Sequence, residues 1–152
     1  WQIKDAADGF EQFYKEVDVI FMGRGCFEHI LTQGPWPYED KMTYVFSSTL
    51  KNEFGKRVSV IDRNPSIFAD EFKEGSGSKI WLMGGPQTVR YLMQQNLVDF
   101  VTLNIHPEIL GKGIPLFPLP LHSMFWKMVS SQEFPSGLVQ TKYALRTHEI
   151  SG

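Results

Sequence analysis

The chain has 152 residues, 42% hydrophobic and 21% charged, the size and balance of one soluble globular domain with a core of its own. Its formal net charge of −2 excludes the basic field that nucleic-acid binding requires, and no apolar run approaches membrane-spanning length. A single cysteine, Cys26, rules out an internal disulfide framework; with no signal-peptide pattern, a reducing, cytoplasmic location is expected.

Residues 5–16 place Phe10, Phe13, Tyr14 and Val17 at i, i+3, i+4 and i+7, the stripe of a helix packed on a sheet. Asp5 and Asp8 open that helix, where carboxylates favour the dipole. Residues 17–22 form an almost wholly apolar run, as in a strand covered on both faces. Residues 24–31 read as a helix, closed by Gly34-Pro35-Trp36-Pro37. Strands follow at 42–46, ending in Ser47-Ser48, and at 57–61. Asn64-Pro65 supplies an N-cap and a first-turn proline for a helix burying Ile67, Phe68 and Phe72, which stops at Gly75-Ser76-Gly77-Ser78. A strand at 79–83 then precedes a helix at 86–95 with Val89, Leu92 and Met93 inward. This alternation predicts a largely parallel sheet with right-handed crossovers.

After Leu97 the pattern changes. Residues 98–106 read as a strand and Gly111-Lys112-Gly113-Ile114-Pro115 as a loop. Residues 123–133 and 138–147 form an antiparallel hairpin around Phe134-Pro135-Ser136-Gly137. The expected fold class is α/β: one three-layer domain over residues 1–152, with helices on both faces of a mixed, mostly parallel central sheet and an antiparallel C-terminal hairpin. The chain opens at Trp1 without an initiator methionine, so a further N-terminal piece is expected.

Two strand-to-glycine-to-helix turns carry the chemistry: Met22-Gly23-Arg24-Gly25-Cys26 and Met83-Gly84-Gly85-Pro86-Gln87-Thr88. The free N–H groups of a helix's first turn attract anions, and glycine lets a phosphate approach the backbone. Two such turns in one small domain, with Ser47-Ser48 ending a third strand, point to a dinucleotide at the carboxyl edge of the sheet. Each turn alone is equally an ordinary tight βα connection. Arg24 and the two serines suit an additional ribose phosphate, where an acidic residue would bind an unmodified ribose; this selects NADP over NAD. Cys26, in the first turn of a helix, is placed where a thiol pKa tends to fall, but no histidine stands by to activate it. His29, His106, His122 and His148 lack metal-ligand spacing, so no metal site is expected. Trp36, Trp81 and Phe46 read as packing residues, with Phe46 also able to flank an adenine.

With Val19-Ile20-Phe21-Met22-Gly23-Arg24, Gly34-Pro35-Trp36-Pro37, Val45-Phe46-Ser47-Ser48 and Met83-Gly84-Gly85, the chain resembles the dihydrofolate reductase-like superfamily. The matching branch holds the reductase domain of the bifunctional riboflavin-biosynthesis deaminase–reductase and its stand-alone bacterial relatives. Leu97-Val98-Asp99, Ile105-His106-Pro107 and the stretch from Leu110 to Phe117 are especially like the stand-alone members, and the resemblance covers residues 5–147. It implies NADPH as hydride donor, and a first strand before Trp1, inserted centrally in the sheet. Gly23, Arg24, Gly25 and Cys26 would take one phosphate turn. Phe46, Ser47 and Ser48 would take the adenine and ribose-phosphate side, and Met83, Gly84, Gly85, Pro86, Gln87 and Thr88 the pyrophosphate turn. Asp8 lies near the place of the acidic residue that supports proton delivery in dihydrofolate reductases.

Two departures stand out. The family commonly has a basic residue and threonine where this chain has Gly25 and Cys26, and a third glycine where it has Pro86, which removes one N–H donor. The implied activity is reduction of a small polar substrate, first the ribosylaminouracil phosphate of riboflavin biosynthesis. Dihydrofolate reduction and a nucleotide-binding protein without catalysis are the alternatives. Phe125, Trp126, Met128, Val139, Tyr143 and Leu145 give the C-terminal strands more apolar surface than one sheet face need bury. A homodimer through this region is therefore expected, unless residues 110–121 fold over it.

Overall fold

Val19 to Met22 are buried without a break, as a strand covered on both faces requires. The computed structural model describes residues 4–51, 54–117 and 119–146, the side chains of 4–8 excepted. Along the chain its elements are α1 (Lys4–Glu16), β1 (Val19–Gly23), α2 (Arg24–Thr32), β2 (Met42–Phe46), β3 (Val58–Ile61), α3 (Pro65–Ser76), β4 (Ile80–Gly84), α4 (Pro86–Gln94), β5 (Phe100–Ile105), β6 (Trp126–Glu133) and β7 (Val139–Leu145). They fall into two units. One comprises Glu16–Leu97 with Phe117–Leu121; the other comprises Trp1–Lys15, Val98–Leu116 and His122–Gly152.

The first unit is built on a four-stranded parallel sheet in the order β3-β2-β1-β4. From β1 the chain steps outward to β2 and β3, then α3 carries it back so that β4 lies on the other side of β1. The strand order therefore reverses between β1 and β4, and a crevice at the carboxyl ends of such strands is where open α/β sheets bind ligands. Register pairs Phe21 with Tyr44 and Gly23 with Phe46, which puts these side chains on one face. There the Phe21 ring meets Tyr44, Phe46 and Phe72 edge-on at centroid distances of 5.7, 5.4 and 5.5 Å, and Phe68 at 5.7 Å. Offset and edge-on contacts let the quadrupoles of five rings attract within one apolar layer.

Asn64 caps α3 as its residue type predicts: its Oδ1 accepts from the Ser66 N–H at 2.9 Å, Pro65 fills the first turn, and Gly77 ends the helix at φ 61°. One expectation fails here. Ile67 is 55% exposed, and Ala69 is the buried residue. The inward stripe runs Pro65, Phe68, Ala69, Phe72, and position 67 falls outside it by the 100° step of a helix. In α4, Leu92 and Met93 are buried as expected, with Thr88 beside them.

The second unit carries an antiparallel sheet in the order β5-β7-β6. The expected hairpin forms around residues 134–137, closed by Phe134 N–H to Leu138 O at 2.9 Å, with Gly137 at φ 82°. Leu138 is fully buried. The outer strands remain apolar on the surface: Phe100, Ile105, Met128 and Val129 are all more than half exposed. Ile109 and Ile114 in the following loop are almost wholly exposed, so that loop does not cover its own leucines and isoleucines. α1 approaches β7 where Gly9 faces the Gln140 amide.

Phe21→Ala should lower stability by about 3–5 kcal/mol, because the cavity would open at the centre of the ring cluster. Ile67→Ala should change it by less than about 0.5 kcal/mol. Urea denaturation of both variants checks the contrast.

Candidate functional site

Both glycine turns lie at the carboxyl edge of the parallel sheet, one on each side of the reversal. β1 and β4 each run one residue beyond the expected ends, through Gly23 and Gly84, so these glycines are ladder residues rather than loop. A shift of register between Phe21 and Met22 brings Met22 opposite Gly84. The next glycine closes the gap. A Cβ on Gly85 would stand 3.0 Å from Gly23 Cα and 3.1 Å from Gly23 N, and Gly85 holds φ 90°. A Cβ on Gly23 would stand 2.9 Å from the Thr88 hydroxyl oxygen. The two turns are thus in backbone contact, wedged by a buried Thr88.

From this contact two helices start at once. α2 is N-capped by Gly23 and α4 by Gly85, and neither cap offers a side-chain oxygen. The first-turn N–H groups of Arg24, Gly25 and Cys26, and of Gln87 and Thr88, therefore receive no side-chain oxygen from their cap residues. Pro86 at the head of α4 contributes none. Gly25 is exposed, with nothing within 4 Å of where a Cβ would sit.

The third turn follows β2. The Ser47 N–H donates to Ile61 O at 3.1 Å. The Ser47 hydroxyl oxygen accepts the N–H groups of Thr49 at 3.2 Å and Leu50 at 3.1 Å, so it builds the turn. Ser48 is exposed. Thr49, which sequence reasoning missed, accepts from Arg24 Nη1 at 2.7 Å, and its Oγ1 lies 3.4 Å from the Ser47 hydroxyl. Arg24 Nε also lies 3.6 Å from a Glu28 carboxylate oxygen, both side chains being half-exposed. No motif distinguishes a threonine three residues past a strand; only the turn geometry brings it to Arg24.

Other expected residues fall differently. Phe46 is 7% exposed, its ring covered by Phe21 and Phe68. Met83 is half-buried and Gln87 exposed. The Cys26 thiol departs from expectation: burial pushes its pKa up. Burial, then the neighbouring Cys26, raises the Tyr38 phenol as well. The Tyr38 ring stands edge-on between Trp36 at 5.3 Å and Trp81 at 5.7 Å, confirming both tryptophans as packing residues. The side chains of Asp5 and Asp8, on α1, and the whole of His148 lie outside the described residues. A separate cavity of about 430 Å³ opens near the start of β3, between Phe27, Trp36, Phe54 and Arg57. Among the described residues no three His, Cys, Asp or Glu side chains are grouped to hold a metal ion, and no helix is long and apolar enough to cross a membrane.

Residues 3–140 match the family model of the RibD C-terminal domain. The chain belongs to that family. The RibD C-terminal domain is a reductase-type family, in line with the resemblance seen in the motifs. The chain is 33% identical to the uncharacterized protein YyaP of Bacillus subtilis (strain 168) over 94% of its own length and 82% of YyaP. It is 34% identical to the uncharacterized protein YwjB of the same organism, over 72% of this chain but only 64% of YwjB, less than two thirds of that protein. Among solved structures, it shares its fold with a Shewanella sp. PV-4 protein named "Putative riboflavin biosynthesis protein". The TM-score is 0.79 at 23% identity, covering 91% of this chain and 80% of that one. A pyrimidine reductase-like protein from Corynebacterium diphtheriae superposes at a TM-score of 0.63 and 17% identity, over 87% and 77% of the two chains. The expected dihydrofolate reductase-like α/β fold, a mostly parallel sheet with an antiparallel C-terminal sheet, is the one found.

Within this RibD C-terminal domain the glycines differ in what they require. Gly85→Ala should cost about 2 kcal/mol or more, from a positive φ and a clash with backbone. Gly25→Ala should stabilise by about 0.5–1 kcal/mol, because it replaces glycine inside a helix at an open position. Thermal unfolding of the two variants should move in opposite directions.

Proposed function

We propose that this protein is an NADPH-dependent reductase acting on a small polar heterocycle. The observation that carries the reading is the backbone contact between Gly23 and Gly85, which sets two side-chain-uncapped helix starts together at a strand-order reversal. The residues present fit the group. The N–H groups of Gln87 and Thr88, beside Gly84 and Gly85, would hold the pyrophosphate. Those of Arg24, Gly25 and Cys26, with the Arg24 guanidinium and Ser48, would hold the ribose phosphate. Met83, Pro86 and the Phe46–Ser47 backbone would line the same edge. When bound, the cofactor would supply the hydride.

The protein's own part is to fix the dinucleotide by its phosphates and to keep the reacting edge in register. Asp8 on α1 is the residue proposed for proton delivery. The family match and the pyrimidine reductase-like structural relative favour the riboflavin-pathway step, reduction of 5-amino-6-(5-phosphoribosylamino)uracil, over dihydrofolate reduction. Pro86, which removes a donor from the pyrophosphate turn, supports a second reading: a nucleotide-binding protein without catalysis.

Calorimetric titration should show tighter binding of NADPH than of NADH, and Arg24→Ala should weaken NADPH alone by about 1–3 kcal/mol. Loss of reduced nicotinamide absorbance with the ribosylaminouracil phosphate, but not with dihydrofolate, would establish the activity. Binding with neither turnover would leave the non-catalytic reading. Equal affinity for the two cofactors would reject the NADPH reading and the role of Arg24 with it.

The apolar residues left exposed on β5 and β6 support a symmetric homodimer through the antiparallel sheet. Light scattering at low micromolar concentration should give twice the chain mass; a monomer mass would exclude it.

A further inference from the structure

Arg24 is not free to meet a phosphate on its own terms. Its Nη1 donates to Thr49 at 2.7 Å, and its Nε edge faces Glu28 at 3.6 Å, too far for a hydrogen bond. We propose that Thr49 is the positioning residue for Arg24 and that Glu28 is the anion a ribose phosphate displaces, so that the two together set the preference for a phosphorylated cofactor. This rests on reading the edge as an NADPH site.

The Thr49 oxygen is itself fixed. Ser47 accepts two backbone N–H groups, which folds residues 47–50 into one turn and places Thr49 Oγ1 against Arg24. A half-exposed arginine otherwise spreads over many rotamers, and ordering it at the moment of binding would weaken the contact. Pinned at Nη1, the guanidinium keeps Nη2 and Nε for a bidentate contact with phosphate oxygens.

Glu28 holds that fork loosely. An arginine one turn N-terminal to a glutamate is the less favourable order for an i, i+4 pair, and both side chains are half in water. A phosphomonoester brings nearly twice the charge and three acceptor oxygens, so it wins the fork. A cofactor lacking that phosphate leaves the Arg24–Glu28 pair intact and gains nothing from Thr49.

The test is calorimetric titration of NADPH and NADH into the unmodified protein and the Thr49→Val, Thr49→Ser and Glu28→Gln variants. Thr49→Val should lose about tenfold in NADPH affinity with NADH within about twofold, Thr49→Ser should recover most of the loss, and Glu28→Gln should tighten NADPH about threefold. Thr49→Val binding NADPH as the unmodified protein does, or losing both cofactors alike, would overturn the positioning role while leaving the cofactor reading intact. Glu28→Gln without effect on NADPH would overturn the displacement. Equal affinities in the unmodified protein would overturn the cofactor reading and this inference with it.

Discussion

The approach of Gly23 to Gly85 is the constraint on which the candidate site depends. Parallel strands normally stand about 4.8 Å apart, with side chains above and below. At the end of β1 and β4 the separation is set by two residues with no side chain, and a methyl group on either would meet backbone or the Thr88 hydroxyl. Topology contributes the other half. β1 leads outward to β2 and β3 while β4 returns to its far side, so the strand order reverses between the two strands whose ends carry these glycines. The backbone contact and the strand-order reversal set the starts of α2 and α4 beside one another at the carboxyl edge.

The chemistry of that edge is set more by main chain than by charge. Arg24 is bonded to Thr49 there, and Glu28 lies beside it. Gly23 and Gly85 cap their helices without an oxygen, which leaves the donors exposed at a small cost in helix stability. Pro86 moderates the same edge, stiffening the start of α4 while subtracting one donor.

Much of this was legible in the residues. Asn64-Pro65 marks the start of α3 because the cap is a local interaction between neighbours in sequence, and the cap is there. The apolar run of β1 and the stripe of α4 follow from periodicity, which is also local. Ile67 misled because a stripe of a short helix can be drawn through several sets of apolar positions, and only the partner face selects one. Cys26 misled for a related reason: its place in the first turn of α2 is visible in the sequence, but the burial that raises the thiol belongs to the folded chain. Thr49 was invisible, since its hydrogen bond spans 25 residues.

The sequence by itself determined the element types, the order in which they occur, the caps, and the presence of glycine wherever backbone would have to come close. It also carried enough motif to resemble its family. These are properties of nearest neighbours and of residue shape. Which glycines touch, which hydroxyl holds the arginine, and which aromatic rings share one face were decided by the tertiary structure. They depend on strand order and register, and those are fixed by the burial of whole faces rather than by any residue's own preference.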